Sequence, residues 1–361
     1  MDTVKLPFYA KIALTLLAVA LTIFFLMMGH TIFIPLVFAF FFSVLLLPLS
    51  KVLEYRLGMG RSLASFLSVF IFLACITAFF YFLISQIVIF SQDFPELKIR
   101  ITAMFADLQK WVSKDFHVNT RQQSDYLNKS MSSIVSAIAN SISEIFISSA
   151  GFLVWIVFVF LYTFFILYHR RRILNFVLYL FDAKHSEKVH EVITETRTMV
   201  YSYISGLLIE MVIVSIVTCI AFSILGIKYA ILLGIIAAVL NIIPYLGIYT
   251  AAGLITLVTF ANSSASNAMW AVIVLLTIHL FDANILMPRI VGARVKMNTF
   301  ITVIAVIVGN FVWGISGMFL FIPITGIFKI ISERVEGMGA WAILIGADEK
   351  KPKAPKSKRD S

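Results

Sequence analysis

The chain has 361 residues, 60% of them hydrophobic and only 13% charged, with a mean hydropathy of +0.97. A soluble domain of this length cannot hide that much apolar surface, so the composition excludes an ordinary water-soluble globule and makes lipid the solvent. The net charge of +10 fits Lys- and Arg-rich cytoplasmic loops facing anionic lipid heads, and it is not read as a nucleic-acid surface.

A helix needs about 20 apolar residues to cross the bilayer. Apolar runs occupy 8–28, 31–49, 62–91, 149–168, 204–225, 229–243, 247–261, 267–287, 299–312 and 314–332. The first is too long for a signal peptide and lacks a small-residue cleavage pattern, so it reads as a retained helix. The pairs 229–243 with 247–261, and 299–312 with 314–332, are short or broken. Each reads as a re-entrant hairpin or as two poor crossings, and irregular backbone at membrane depth is tolerated only where protein or a cavity covers it. The expected fold is all-α and polytopic, with about eight transmembrane helices plus broken or re-entrant hairpins.

Basic residues set the expected orientation. With the N-terminus inside, residues 50–61, 169–203, 288–298 and the tail face the cytoplasm, and so do most of the 29 Lys and Arg. The exceptions are Lys98, Arg100, Lys110, Lys114, Arg121, Lys129 and Lys228. All but Lys228 belong to one long loop, where the rule is weak. The triplet Arg170, Arg171, Arg172 follows the fourth run directly and is the strongest anchor.

Between the runs, residues 92–148 carry Ile101, Phe105, Leu108 and Trp111 at helical spacing, which predicts an amphipathic helical insert on the outer side. Residues 184–203 predict a cytoplasmic amphipathic helix with Val189, Val192, Ile193, Met199 and Val200 as its stripe, leading into the fifth run without a breaker. From Asp348 the tail is basic, Pro-containing and expected to be disordered. The corresponding division is a scaffold over 1–91, the insert over 92–148, a fourth span with its cytoplasmic helix over 149–203, a transport unit over 204–335 and a tail over 336–361. Cys75 and Cys219 lie in apolar runs and show neither metal spacing nor grounds for a disulfide.

Chemistry concentrates in the C-terminal half. Glu210 and Asp282 are the two acids well inside apolar runs. A carboxylate at membrane depth must be paired, hydrated or protonated, so each is a candidate for binding H⁺ or a cation, with a purely structural hydrogen bond as the alternative. Asn284 is placed to satisfy backbone groups freed by Pro288, and His279 lies on the face of Asp282. Pro288 and Pro323 are expected to end or kink their helices because each lacks a backbone donor. Asn241, Pro244, Tyr245 and Gly247 form a break whose freed groups can meet an ion or polar solute, or make an ordinary interhelical turn. Arg289 is a candidate for an anion, a carboxylate or lipid phosphate. The segments 241–247 and 321–326 share an Ile-Pro-x-x-Gly core, and each follows an acid-bearing run, the pattern of an inverted repeat. No His-Glu-x-x-His, Gly-x-Ser-x-Gly or phosphate-binding Gly loop with Lys occurs, so the chain is read as a non-enzyme. No cofactor is expected beyond a coupling ion, H⁺ or Na⁺.

The motifs NIIPYLG at 241–247, ANILMPRIVGARVKMN at 283–298 and WGISGMFLFIPITGIFKII at 313–331 resemble those of the autoinducer-2 exporter family of bacterial membrane transporters. The resemblance covers residues 1–335 and is most specific over 241–331. It implies multi-pass secondary transport in the bacterial inner membrane, with autoinducer-2 export or Na⁺(Li⁺)/H⁺ antiport among family activities, and assembly as a homo-oligomer. Relatives in that family carry Glu before the Pro-Arg pair, where this chain has Met287. The expectation is therefore a permease for a small polar solute, in contact with membrane lipid, with both termini cytoplasmic. A partner-recruiting membrane scaffold is the alternative of another class.

Overall fold

The computed structural model describes residues 7–116, 149–182, 185–243, 246–290 and 297–347. Helices account for nearly all of them, and among the described residues the sole β feature is an isolated bridge between Met297 and Gly346. In chain order these are α1 (Phe8–Met28), α2 (His30–Lys51), α3 (Arg61–Phe116), α4 (Ser149–Tyr168), α5 (Arg170–Tyr179) and α6 (Ser186–Ile224). There follow α7 (Ala230–Asn241), α8 (Leu246–Asn262), α9 (Ala265–Phe281), α10 (Met287–Ile290), α11 (Thr299–Ser332) and α12 (Gly339–Ile345). Residues 348–361 and the insert beyond Phe116 lie outside the described residues, whereas the start of the segment assigned to the tail forms α12. Within the described residues α3 runs unbroken past residue 91, and α6 joins the amphipathic segment to the fifth apolar run as one helix.

Six described helices are long and apolar enough by length and composition to cross a bilayer, or seven with α4 and α5, which meet at a 69° bend, counted as one broken span; one of the six, α11, doubles back at its middle. Helices α7 and α8 are only about 18 and 26 Å long at 1.5 Å per residue, less than the ~30 Å hydrocarbon thickness, in keeping with the re-entrant reading of 229–261. They pack together as a hairpin. Large apolar side chains such as Phe24, Phe70, Ile216 and Phe311 remain exposed along the spans, as a lipid-facing surface requires.

Ion pairs sort the ends into two faces. On one, Glu54 pairs with Arg170 and Arg61, Arg334 with Glu191 and Glu195, and Lys188 with Glu336. On the other, Asp93 at the far end of the third span meets Lys228 and Tyr229. The hydrogen-bonded Asp93 carboxylate holds the proton on the Lys228 amine more tightly than usual and raises its pKa. The α7–α8 hairpin thus enters from the Lys228 face.

The second hairpin enters from the opposite side. Helix α11 reverses at Trp313–Gly314, where Gly314 adopts φ 59° and ψ −143°, a backbone region open mainly to glycine. Its two arms press together so closely that a Cβ on Gly309 would lie 2.3 Å from the Gly317 carbonyl oxygen, and one on Gly317 would lie 1.9 Å from that of Gly309. Both ends return to the Arg334 face, where the Asn298 amide donates to the Ile345 carbonyl just after the second arm. At the tip the Trp313 indole N–H donates to the Leu26 carbonyl of α1 at 2.9 Å. The reversal falls at Trp313–Gly314 and not at Pro323, which stays helical and buried within the second arm. Proline's fixed φ is compatible with a helix, whereas a chain reversal needs the freedom glycine supplies.

The helices enclose two apolar cores. Phe90 of α3, Phe222 of α6, Leu232 and Leu233 of α7, Ile255 of α8 and Leu275 of α9 pack around the first hairpin. Phe41 and Val44 of α2, Val200 and Leu207 of α6, and Trp313 and Leu320 of α11 pack around the second.

The glycine contact gives a test. Replacing Gly309 or Gly317 with Ala pushes the arms apart and is expected to lower unfolding stability in detergent by about 1–3 kcal/mol. Gly253→Ala, where a Cβ meets nothing within 4 Å, is expected to be neutral or stabilising. A denaturation series on the three variants decides it.

Candidate functional site

Three polar side chains meet where the two cores adjoin. On α6, Leu207 belongs to the second core and Phe222 to the first, and Glu210 lies between them. At the end of α7, Leu240 packs on the first core and Ile243 on the second, and Asn241 lies between. After α9, Leu275 packs on the first core and Met287 on the second, and Asp282 lies between. At 1.5 Å per residue, Glu210, Asn241 and Asp282 sit about 21, 17 and 26 Å from the ends of their helices toward the Lys228 face. All three therefore lie within the thickness of a ~30 Å hydrocarbon layer.

The amide of Asn241 joins the two acids. Its Nδ2 donates to Asp282 Oδ2 at 2.8 Å and to Glu210 Oε1 at 3.2 Å, using both amide hydrogens. Glu210 and Asp282 are each 4% exposed. Their remaining oxygens, Glu210 Oε2 and Asp282 Oδ1, are buried without a hydrogen-bond partner among the described residues. Unpartnered buried oxygens are costly in a low-dielectric layer. Two acids around one donor form an acceptor-rich nest suited to a proton or a small cation.

Local backbone sets each member in place. Gly247 closes the first hairpin against the end of α7, where a Cβ would lie 1.8 Å from the Leu240 carbonyl oxygen. Any side chain there would shift the turn that carries Asn241. Asp282 opens a π-helical turn, Asp282–Leu286, between α9 and α10. Such one-turn π segments re-aim a side chain relative to the helix before them.

The other sequence candidates stand apart from this cluster. Asn284 is exposed and its Nδ2 donates to the Leu280 carbonyl at 2.7 Å, one turn back and upstream of the group it was expected to satisfy. Pro288 and Arg289 are exposed on α10, which continues helical through Pro288, so the expected break there is replaced by the π turn upstream. Pro323 is buried in the second hairpin. Pro244 and Tyr245 lie outside the described residues. His279 Nδ1 is buried without a hydrogen-bond partner, and no hydrogen bond or ion pair joins His279 to Asp282 among the described residues. Sequence reasoning placed Asn241 only beside a helix break. Its role as shared donor carried no local signal, because Glu210 and Asp282 are remote in the chain.

Asn241→Ala is expected to cost about 1–3 kcal/mol of unfolding stability, because it strips the donor from two buried acids. Asn284→Ala, at an exposed position, is expected to change stability by less than about 0.5 kcal/mol. Equal denaturation midpoints for the two variants would contradict this assignment of the shared donor.

Comparison with known sequences agrees with the arrangement. Residues 14–337 match the profile described as AI-2E family transporter. YueF of Bacillus subtilis, named as a candidate transport protein, is 25% identical over 84% of this chain and 84% of its own. YrrI of the same organism, named likewise, is 27% identical over 83% of this chain and 86% of its own. The AI-2 transport protein TqsA of Escherichia coli is 30% identical over 34% of this chain and 35% of its own. The profile spans nearly the whole chain, hairpins and polar cluster included, so this multi-pass membrane protein belongs to the AI-2E family of bacterial transporters.

Proposed function

We propose that the chain is a secondary transporter that moves a small polar solute across the bacterial inner membrane, with Glu210, Asn241 and Asp282 as its coupling site for H⁺ or Na⁺. One observation carries this reading: two buried acids from oppositely running helices meet on a single amide at the tip of a hairpin, within the thickness of the hydrocarbon layer. Ion and substrate sites of secondary transporters are built at such midplane breaks. Two neighbouring carboxylates around one neutral donor leave negative charge that a proton or cation must balance.

The hairpins supply a route for alternation. One enters from the Lys228 face and the other from the Arg334 face, and their bases are held by ion pairs at opposite ends of α6. Release of one base while the other stays latched would open the polar layer to one side at a time. TqsA's name gives AI-2 as its cargo, and the partial match makes AI-2 one solute to assay, beside Na⁺ and Li⁺.

Flux in proteoliposomes tests the proposal. With an imposed H⁺ or Na⁺ gradient and a panel of small polar solutes, the wild-type chain is expected to drive uptake or efflux. Glu210→Gln and Asp282→Asn are each expected to lower gradient-driven flux by about a hundredfold, the scale of losing one essential charge-handling group. Glu96→Gln, in an exposed pair with Arg100, is expected to leave flux unchanged. Full gradient-driven flux in both acid variants would refute the coupling role. Function that depends on residues 348–361 while ignoring both acids would favour the scaffold reading.

A further inference from the structure

The elbow between α4 and α5 gathers basic side chains that the transport reading does not use. Helix α4 ends at Tyr168, and α5 leaves it at 69°. A helix turned so sharply at the end of an apolar span lies along the membrane surface. Its exposed Ile173, Phe176 and Tyr179 fit that placement, with aromatic rings at the headgroup level.

At the elbow a cavity of about 460 Å³ is lined by Arg61, Tyr168, His169, Arg171, Arg172 and Asn175. No carboxylate lines it. The nearby acid, Glu54, is already engaged by Arg170. Arg61 Nε lies 3.6 Å from Glu54, within ion-pair range but too far for a hydrogen bond, and it is buried without a hydrogen-bond partner. Arg171 donates to the neutral Tyr55 hydroxyl at 3.0 Å, and Arg172 has no acidic partner among the described residues. Arg171 and Arg172 thus face this space without a carboxylate partner, and Arg61, which shares Glu54 with Arg170, adds a third guanidinium to its wall.

We propose that this cavity binds the phosphate of an anionic phospholipid headgroup. Guanidinium forks match phosphate oxygens in pairs, and Asn175 and Tyr168 add neutral polar contacts. The general inward bias of Lys and Arg requires only charge near a membrane end. It does not require three Arg from two separate helices converging on one cavity, and that convergence is what distinguishes a headgroup site from a topological signal.

Retention of lipid by the purified full-length chain tests this. The protein, exchanged into detergent with phosphatidylglycerol or phosphatidylcholine, is analysed by native mass spectrometry, with inorganic phosphate as a separate arm. Wild type is expected to hold phosphatidylglycerol in preference to phosphatidylcholine. The double variant Arg171→Gln, Arg172→Gln is expected to weaken phosphatidylglycerol retention by about thirtyfold, the scale for two surface arginines. Lys188→Gln, which removes a basic residue elsewhere on the same face, is expected to have no effect. If the double variant fails to insert, Arg171→Lys, Arg172→Lys keeps the charge and is expected to lose part of the retention, because the paired fork contacts are gone. Equal retention of both lipids by wild type, or undiminished phosphatidylglycerol retention by the glutamine or lysine variant, would overturn the site. Inorganic phosphate displacing the lipid at equal concentration would overturn the headgroup assignment in favour of a free anion.

Discussion

The arrangement of this chain depends on a single layer of polarity sealed between two apolar cores. Lipid offers no water to solvate Glu210 or Asp282, and each is 4% exposed. Among the described residues, the neutral donor shared by both is the Asn241 amide. Everything nearby serves to bring that amide to the acids. The first hairpin is short enough to stop at mid-depth, and Gly247 lets its turn close on Leu240. The π turn after α9 presents Asp282 at the same level. Longer helices would carry their polar groups to the surface, where water would solvate them and nothing would need to bind.

The two hairpins are built by different means for related ends. In the first, α7 and α8 are separate helices joined at a Gly-containing break. In the second, α11 is continuous except at Trp313–Gly314, and its arms meet through Gly309 and Gly317. Backbone contact between small residues is how helices approach closely where apolar side chains gain nothing by leaving lipid. The second hairpin carries no acid. Its tip is tied to α1 through Trp313 and Leu26, and it walls the core against which Leu207, Ile243 and Met287 pack. The first hairpin thus carries the shared amide, and the second packs in the apolar core beside it.

Much of this was legible in the sequence, in a specific sense. Hydropathy marked the spans because lipid demands long apolar runs, and it exposed Glu210 and Asp282 because acids are costly there. The short runs around 241–247 and 313–314 marked the hairpins. What hydropathy does not encode is who meets whom. Asn241, Glu210 and Asp282 sit on three different helices, and no periodicity links them. Gly309 and Gly317 read as small residues in an apolar run until the reversal brings them together. Pro288 and Pro323 were misleading because a missing donor is only a cost, and a helix with compatible φ absorbs it. The π turn at 282–286 left no mark, since α and π helices use the same residues.

The central claim is that the Glu210–Asn241–Asp282 layer exchanges a proton or cation, and does not merely hold the bundle together. Infrared difference spectroscopy of the purified protein, titrated in pH and then with Na⁺, addresses it most directly through the carboxyl stretch. The account predicts a protonated-carboxyl band that is lost as pH rises or as the cation binds, and that is absent when both acids are neutralised. A wild-type spectrum with no such titrating band, identical to that of the neutralised chain at every pH and Na⁺ concentration, would contradict it.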